Sequence, residues 1–286
     1  MKPISGRTKL ITVIGDPIEH SLSPQIHNRA LEKDELDYRY LAFDILPDQV
    51  PAYLDAMRTM GIVGTNVTMP DKRTVFDNVD AVDPVAALVG ACNTVVNDHG
   101  KLIGYTTDGY GFMKTFESAG IPVAGRKFAL LGMGGAGTAV AAQAAVDGVG
   151  ELVVFNRANG RSWATAEVEI EKIREATGAT IRLCDLNDRD LLRHELATTD
   201  FLANTTPIGM AAQIGLSPVP DVTYFHPGMV VQDAIYAPEE TELLRLARLA
   251  GCTAFNGKSM LFWQASRSYE LWLGHPMPIT IEEAYA

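Results

Sequence analysis

Cysteine is scarce in this sequence. Cys92, Cys184 and Cys252 stand singly, with no Cys-x-x-Cys pair and no even count from which to build a disulfide framework. A reducing compartment, the cytoplasm, is the expected setting. The six histidines show neither His-x-x-x-His spacing nor clustering with cysteine, so no metal site and no zinc-dependent alcohol dehydrogenase is expected. Long apolar runs are also missing. The run "LITVIG" near the N-terminus is shorter than a signal-peptide core and ends at a turn, so it reads as a first strand. Basic residues are outnumbered 24 to 35, and the net charge of −11 repels polyanions. Nucleic acid and anionic membrane are therefore not expected partners, whereas a small anion held by local donors is compatible with that charge. Internal repeats, low-complexity segments and long linkers are absent as well.

What is present is alternation. With 286 residues, 47% of them hydrophobic, the chain is long enough for two cores of ordinary size. "KLITVIG", "YRYLAFDI" and "GTNVTMP" read as strands, separated by the helical patterns "SPQIHNRALEKDEL" and "VPAYLDAMRTMG". Crossover units of this kind predict an α/β fold with a largely parallel sheet. Ser23 and Pro24 in "SLSP" resemble a helix start, with Ser23 as N-cap. A short hinge is expected near "GYGF", residues 109–112. After residue 237 the chain becomes helical, with an aromatic-rich apolar face.

"RKFALLGMGGAGTAVAAQAAVDGVGELVVFNR" reads as strand, glycine turn, small-residue helix and second strand. Gly132, Gly134 and Gly137 satisfy Gly-x-Gly-x-x-Gly, with Gly135 in addition. Glycines placed there let backbone N–H groups and the helix N-terminus approach a pyrophosphate. An NAD-selective site places Asp or Glu at the end of the second strand for the ribose 2′-hydroxyl. Here that strand ends in Asn156 and Arg157, with Arg161 following, and arginine there suits a 2′-phosphate. NADP is therefore favoured, with NAD as the alternative.

The second half offers no obvious acid or base, which directs the chemistry to polar residues of the first. In "GTNVTMPDKRTVF", Lys72 reads either as a solvated charge at a helix start or as a base held against a substrate. Oxidation of an alcohol needs a group to take the hydroxyl proton, and a lysine beside a carboxylate such as Asp108 does this. Spacing alone does not bring the two together. "YGFMK", residues 110–114, matches a Tyr-x-x-x-Lys dyad but precedes the glycine loop, and is taken as chance.

In order, "GDPIEHSLSPQIHN", "NVTMPDK", "ACNTVV", "TTDGYG", "LGMGGAG", "NTTPIGM", "DAIYAP" and "NGKSMLFWQA" span nearly the whole chain. Together they closely resemble the shikimate dehydrogenase family, with features of the branch that also accepts quinate. The resemblance implies an N-terminal α/β substrate domain over residues 1–110, completed by C-terminal helices in 255–286, and a Rossmann-type NAD(P) domain over 111–254. It implies reversible NAD(P)-linked reduction of 3-dehydroshikimate to shikimate, and of dehydroquinate to quinate in some members, in a cleft between the domains. Carried over by motif, Ser21 and Ser23 would bind the substrate carboxylate. Thr68, Asn93 and Gln264 would bind ring hydroxyls or the carboxylate face, with Tyr236 nearby. Lys72 and Asp108 would contact the hydroxyl that is oxidised, and Asn66 would help floor the pocket, whereas Tyr40 reads as core. Gly132, Met133, Gly134, Gly135, Ala136, Asn156, Arg157, Ala158, Asn159 and Gly257 would meet the coenzyme. The implied ligand is a small hydroxylated ring acid, and the implied assembly a monomer or homodimer. A dehydrogenase for a related hydroxylated or aminated ring acid, or a non-catalytic quinate or nucleotide sensor, is the alternative.

Departures from the family pattern occur in three motifs. Thr106 stands where Asn is common, which puts the hydrogen bonding beneath Asp108 in question. Met133 replaces an alanine in the glycine loop. Ala158 and Asn159 follow "NR" where threonine is frequent, removing a hydroxyl that would face a 2′-phosphate.

Overall fold

The apolar runs anticipated as strands are strands in the computed structural model, which describes residues 2–160 and 162–286. Arg161 lies outside the described residues. The chain divides into two units, Met1–Gly111 with Phe262–Ala286, and Phe112–Leu261. The return to the first unit falls later than residue 255, because Thr253–Phe255 forms a strand of the second sheet.

The first unit holds β1 (Lys9–Gly15), β2 (Tyr38–Asp44), β3 (Gly64–Val67), β4 (Ala81–Val82), β5 (Thr94–Asp98) and β6 (Lys101–Tyr105), in the order β2-β1-β3-β5-β6-β4. β2, β1 and β3 are parallel, joined through α1 (Ser23–Lys33) and α2 (Val50–Met60). β5 alone runs antiparallel, to both β3 and β6, so this sheet is mixed, with its other five strands in one direction. The cause is local. His99 and Gly100 both have positive φ, 52° and 95°, which is the backbone of a two-residue hairpin turn. α3 (Lys72–Asn78) and α4 (Pro84–Val89) follow β3 and β4. α4 is specified end to end by its sequence: Asp83 accepts from the N–H groups of Val85 and Ala86, Pro84 opens the helix, and Gly90 closes it at φ 68°.

The core of this unit gathers Ile14, Leu54, Met57, Val67, Val75 and Val95 between sheet and helices. The returning chain supplies the end of α10 (Gly257–Leu273) and α11 (Ile281–Ala284). There the Trp272 indole donates to Val95 O at 2.9 Å and fills the space above Gly64, where a Cβ would lie 2.1 Å from its ring nitrogen.

The second unit is a six-stranded parallel sheet of β7 (Lys127–Leu131), β8 (Glu151–Asn156), β9 (Ile181–Asp185), β10 (Phe201–Asn204), β11 (Val230–Asp233) and β12 (Thr253–Phe255). Its order, β12-β11-β10-β7-β8-β9, is the doubly wound arrangement of a Rossmann-type domain, with the direction of winding changing between β7 and β10. α5 (Asp108–Ser118) leads into this unit, and α6 (Gly135–Val146), α7 (Trp163–Thr177), α8 (Arg189–Leu196) and α9 (Glu242–Leu249) connect its strands. Small buried residues of α6, among them Gly137, Ala141 and Ala144, allow the helix to pack closely. The three cysteines are buried and free.

Candidate active site

The topology of the first unit brings its functional loops to one edge. β1 and β3 are parallel, so the loops after Gly15 and Val67 leave together, tied by Asp16 N–H to Met69 O at 3.2 Å and Thr68 N–H to Ile14 O at 2.9 Å. Because β5 is antiparallel to β3, it starts at that edge, and β6, antiparallel in turn, ends there. Ser21, Ser23, Thr68, Lys72, Asn93 and Asp108 therefore all lie at the carboxyl edge of β1 and β3. Gln264, on α10, joins them.

Lys72 and Asp108 form an ion pair at 2.5 Å, with side chains 27% and 14% exposed. Each is the first residue of a helix. The carboxylate suits the positive end of α5, but a cation at the start of α3 opposes the helix dipole and needs a partner. Asp108 is that partner. Asn93 fixes the other half of the carboxylate, donating from Nδ2 to Asp108 Oδ1 at 2.8 Å while Asp108 Oδ2 accepts from Lys72. Its own orientation is locked, because Asn93 Oδ1 accepts from Thr107 N–H at 2.7 Å and its Nδ2 also donates to Thr107 Oγ1 at 2.9 Å. The Asn93 backbone is clamped between Tyr105 O and Val67 N–H, and the neighbouring Cys92 N–H donates to Lys72 O. The support beneath Asp108 thus comes from Asn93 and Thr107. Thr106 does not supply it; its backbone N–H stands by the Asp83 carboxylate.

Gln264 is buried beside this group, its Oε1 3.4 Å from Asn93 Nδ2. Asn66 is not a free floor of the site. Its Oδ1 accepts from the Tyr40 hydroxyl at 2.6 Å, and its Nδ2 donates to Thr94 Oγ1 and Ser268 Oγ, both at 3.0 Å. With its amide groups committed internally, Asn66 is a strut. Tyr40 is fully buried, in keeping with a core tyrosine. Ser23 is likewise not the N-cap of α1: Leu22 occupies that position, and the Ser23 N–H donates to Ser21 Oγ at 3.3 Å. No capping bond uses the Ser23 hydroxyl, which lies beside that of Tyr40. Thr107, Thr94 and Ser268 escaped the sequence reading. Thr107 adjoins Asp108 and carried a positional signal, whereas Ser268 is 202 residues from its partner Asn66 and carried none.

In the second unit, Gly132 has φ 93° after β7, and Gly134 caps α6 with Gly135 as its first residue. Beta carbons built at Gly134 and Gly135 meet nothing within 4 Å, whereas one at Gly137 lies 2.3 Å from Gly132 O. An open backbone at the helix start with a tight third glycine fits a dinucleotide pyrophosphate. Ala136 follows on α6, and Met133 is buried, so its departure from alanine leaves the open face of the loop unchanged. Asn156 is buried at the end of β8 and donates to Ser162 Oγ at 3.1 Å, while Arg157, Ala158 and Asn159 are exposed.

At the ends of β10 and β11 the buried Asp233 collects three donors: Asn204 Nδ2 at 3.0 Å, Ile235 N–H at 3.1 Å and Thr241 Oγ1 at 2.7 Å. Gly257 packs on the Ala234 carbonyl, leaving no room for a side chain. Tyr236, 40% exposed, belongs to this unit, whereas Lys72 belongs to the first. Among the described residues no cluster of three or more His, Cys, Asp or Glu forms a metal site.

Residues 13–95 match the family model for the shikimate dehydrogenase substrate-binding domain. A shikimate dehydrogenase (NADP(+)) of Listeria monocytogenes serotype 4b is 41% identical over 276 residues, covering 96% of this chain and 94% of the relative. A quinate/shikimate dehydrogenase of Escherichia coli is 38% identical, covering 96% of each chain. The crystal structure of a Listeria monocytogenes shikimate 5-dehydrogenase in complex with shikimate and NAD superposes with a TM-score of 0.96 at 40% identity, covering 100% of this chain and 98% of the other. The ordered motifs, the two sheets and these relatives agree: the chain belongs to the shikimate dehydrogenase family.

Proposed function

We propose that this chain reversibly reduces 3-dehydroshikimate to shikimate with NADPH or NADH in the cytoplasm, and that quinate is a second substrate. The observation that carries the reading is the Lys72–Asp108 pair, held by Asn93 at the edge where the family's other substrate motifs gather. No helix among the described residues is long and apolar enough to cross a membrane.

In this reading the first unit takes the ring acid. Hydroxyls of Ser21 and Ser23 bind its carboxylate, and Thr68, Asn93 and Gln264 bind ring hydroxyls or the carboxylate face, with Tyr236 as a further ligand. A site of neutral donors and acceptors rejects analogues that leave those groups unpaired. Lys72 has three N–H donors and Asp108 takes one, which leaves the ammonium able to reach the reacting oxygen. In the reducing direction Lys72 Nζ gives a proton to the carbonyl oxygen; in the oxidising direction it takes the hydroxyl proton. Asp108 holds the ammonium in place. A nicotinamide coenzyme held at the glycine loop of Gly132, Gly134 and Gly135 would supply the hydride-transfer chemistry.

Absorbance assays with shikimate and quinate, each with NADP+ and NAD+, test the reading directly; absence of turnover in all four overturns it. Lys72→Ala is expected to lower turnover by roughly 10²–10⁴-fold, the range of a lost general acid or base, with substrate affinity changed less. Unaltered turnover returns Lys72 to a surface charge.

A further inference from the structure

Coenzyme choice in a Rossmann-type unit is made at the end of the second strand, where an acidic residue selects the ribose 2′-hydroxyl. In this chain that position is Asn156, and it is turned inward onto Ser162. The loop that follows presents contradictory charges. Arg157 is exposed, and its guanidinium has no hydrogen-bond partner among the described residues, as a 2′-phosphate ligand requires. Yet a carboxylate reaches the same loop from the neighbouring strand. Asp185 ends β9 in direct register with Asn156, and the Leu186 N–H donates to Asn156 O at 2.9 Å. Asp185 Oδ1 accepts from the Ala158 N–H at 3.1 Å, and from Asn187 N–H and Nδ2, each at 3.1 Å. Its Oδ2 has no partner among the described residues, and no lysine or arginine among them forms an ion pair with it.

Two consequences follow from this placement. The Ala158 amide, one of the backbone donors of this loop, is already given to the Asp185 carboxylate and is not free for a 2′-phosphate. The donors on Asp185, those of Asn187 first and Ala158 next, also hold its carboxyl below the usual aspartate range, so the charge is present throughout the neutral region. The carboxylate missing from β8 is therefore supplied by β9.

We propose that Asp185 is the coenzyme-selecting residue of this chain: by taking the Ala158 amide and placing a negative charge in the 157–159 loop, it penalises NADP and keeps NAD competitive. Arg157 pulls in the opposite direction, and the balance of the two sets the preference. This rests on the dehydrogenase reading for the identity of the ligand, but its test does not depend on turnover.

Asp185→Asn separates charge from geometry, since the amide oxygen still accepts from the Ala158 N–H. Calorimetric titration of the full-length protein with NADP+ and with NAD+ gives a Kd for each. The expected result is a rise of 10-fold or more in the NADP+ to NAD+ affinity ratio, from tighter NADP+ binding. A residue that merely props the loop shifts both coenzymes together, and an unchanged or lowered ratio overturns the proposal. Asp190→Asn removes an equal charge from the first turn of α8 as a control. A ratio that moves as far in this control as in Asp185→Asn also overturns it, because general charge then suffices. If the titrations behave as expected but neither shikimate nor quinate is turned over, the dehydrogenase reading fails and the Asp185 assignment stands.

Discussion

At the scale of single residues, the strongest unrelieved cost beside the site is Asp71. It is 0% exposed, and neither carboxylate oxygen has a hydrogen-bond partner among the described residues. Burial first, and the nearby Asp16 carboxylate second, raise its pKa above the ordinary aspartate value. A raised carboxyl stabilises the fold only below its unfolded pKa, and that contribution disappears as pH rises through the folded value. Asp71→Asn is therefore expected to stabilise the protein by about 1–2 kcal/mol near pH 8, the scale of a relieved buried polar group. Urea unfolding checks this; a gain equally large near pH 4 contradicts the ionic origin. Lys72, Asp108 and Asn93, which the structure joins in one hydrogen-bonded group, were legible as candidates because they lie in short motifs whose order is informative. Residues whose role depends on distant partners were not. Asn66 looked like a pocket floor because its bonds to Ser268 and Tyr40 cross 202 and 26 positions. Ser23 looked like a cap because Ser-Pro opens many helices, but Leu22 holds the cap position and the Ser23 N–H donates to Ser21 Oγ.

At the scale of elements, the glycine loop separates two demands that the motif states as one. Gly134 and Gly135 keep a surface bare, while Gly137 is needed because its neighbour is the Gly132 carbonyl. Gly137→Ala is expected to force β7 and α6 apart at the loop and weaken either coenzyme at least 10-fold, at a stability cost of about 1–3 kcal/mol, as for overpacking elsewhere. Equal coenzyme affinity in Gly137→Ala and the parent, measured by calorimetry, contradicts the close approach. Strands were the most legible elements, since β1 coincides with the run "KLITVIG" and the strand–turn–helix of the glycine loop appears as read. The direction of β5 was missed. Apolar alternation is the same in parallel and antiparallel strands, and only the short turn "DHGK" carries the hairpin signal.

At the scale of the whole molecule, each unit buries a titratable group, and these two groups respond oppositely to acid. In the first, burial pushes the His27 imidazole down from 6.5 to about 3. Its contribution is complete above pH 6.5 and is lost as pH falls towards 3, by about 5 kcal/mol in full. In the second, burial pushes the Asp233 carboxyl up from 3.8 to about 6, against the opposing bonds from Thr241, Ile235 and Asn204. Its contribution is complete below pH 3.8 and is lost as pH rises through 6, by about 3 kcal/mol. Between pH 5 and 7 the His27 contribution gains from rising pH while that of Asp233 loses. Native-state hydrogen exchange, corrected for intrinsic rates, is expected to show better protection of β1 and β2 at pH 7 and of β10 and β11 at pH 5. Parallel changes in both sheets contradict these assignments.

The first unit is also interrupted in sequence: it is left at Gly111 and resumed at Phe262. Ser268, which ties Asn66 to Thr94, and Trp272, which covers Gly64, both arrive in the resumed segment. On a ribosome, where chains emerge over tens of seconds and domains fold as they are completed, the order of maturation is inverted relative to the order of synthesis. The dinucleotide half has all its residues while the half bearing Lys72 and Asp108 still lacks the helix that closes its core. The unit that begins first is thus the second to have all its residues, and until α10 arrives the Gly64 face of its sheet lacks the Trp272 cover.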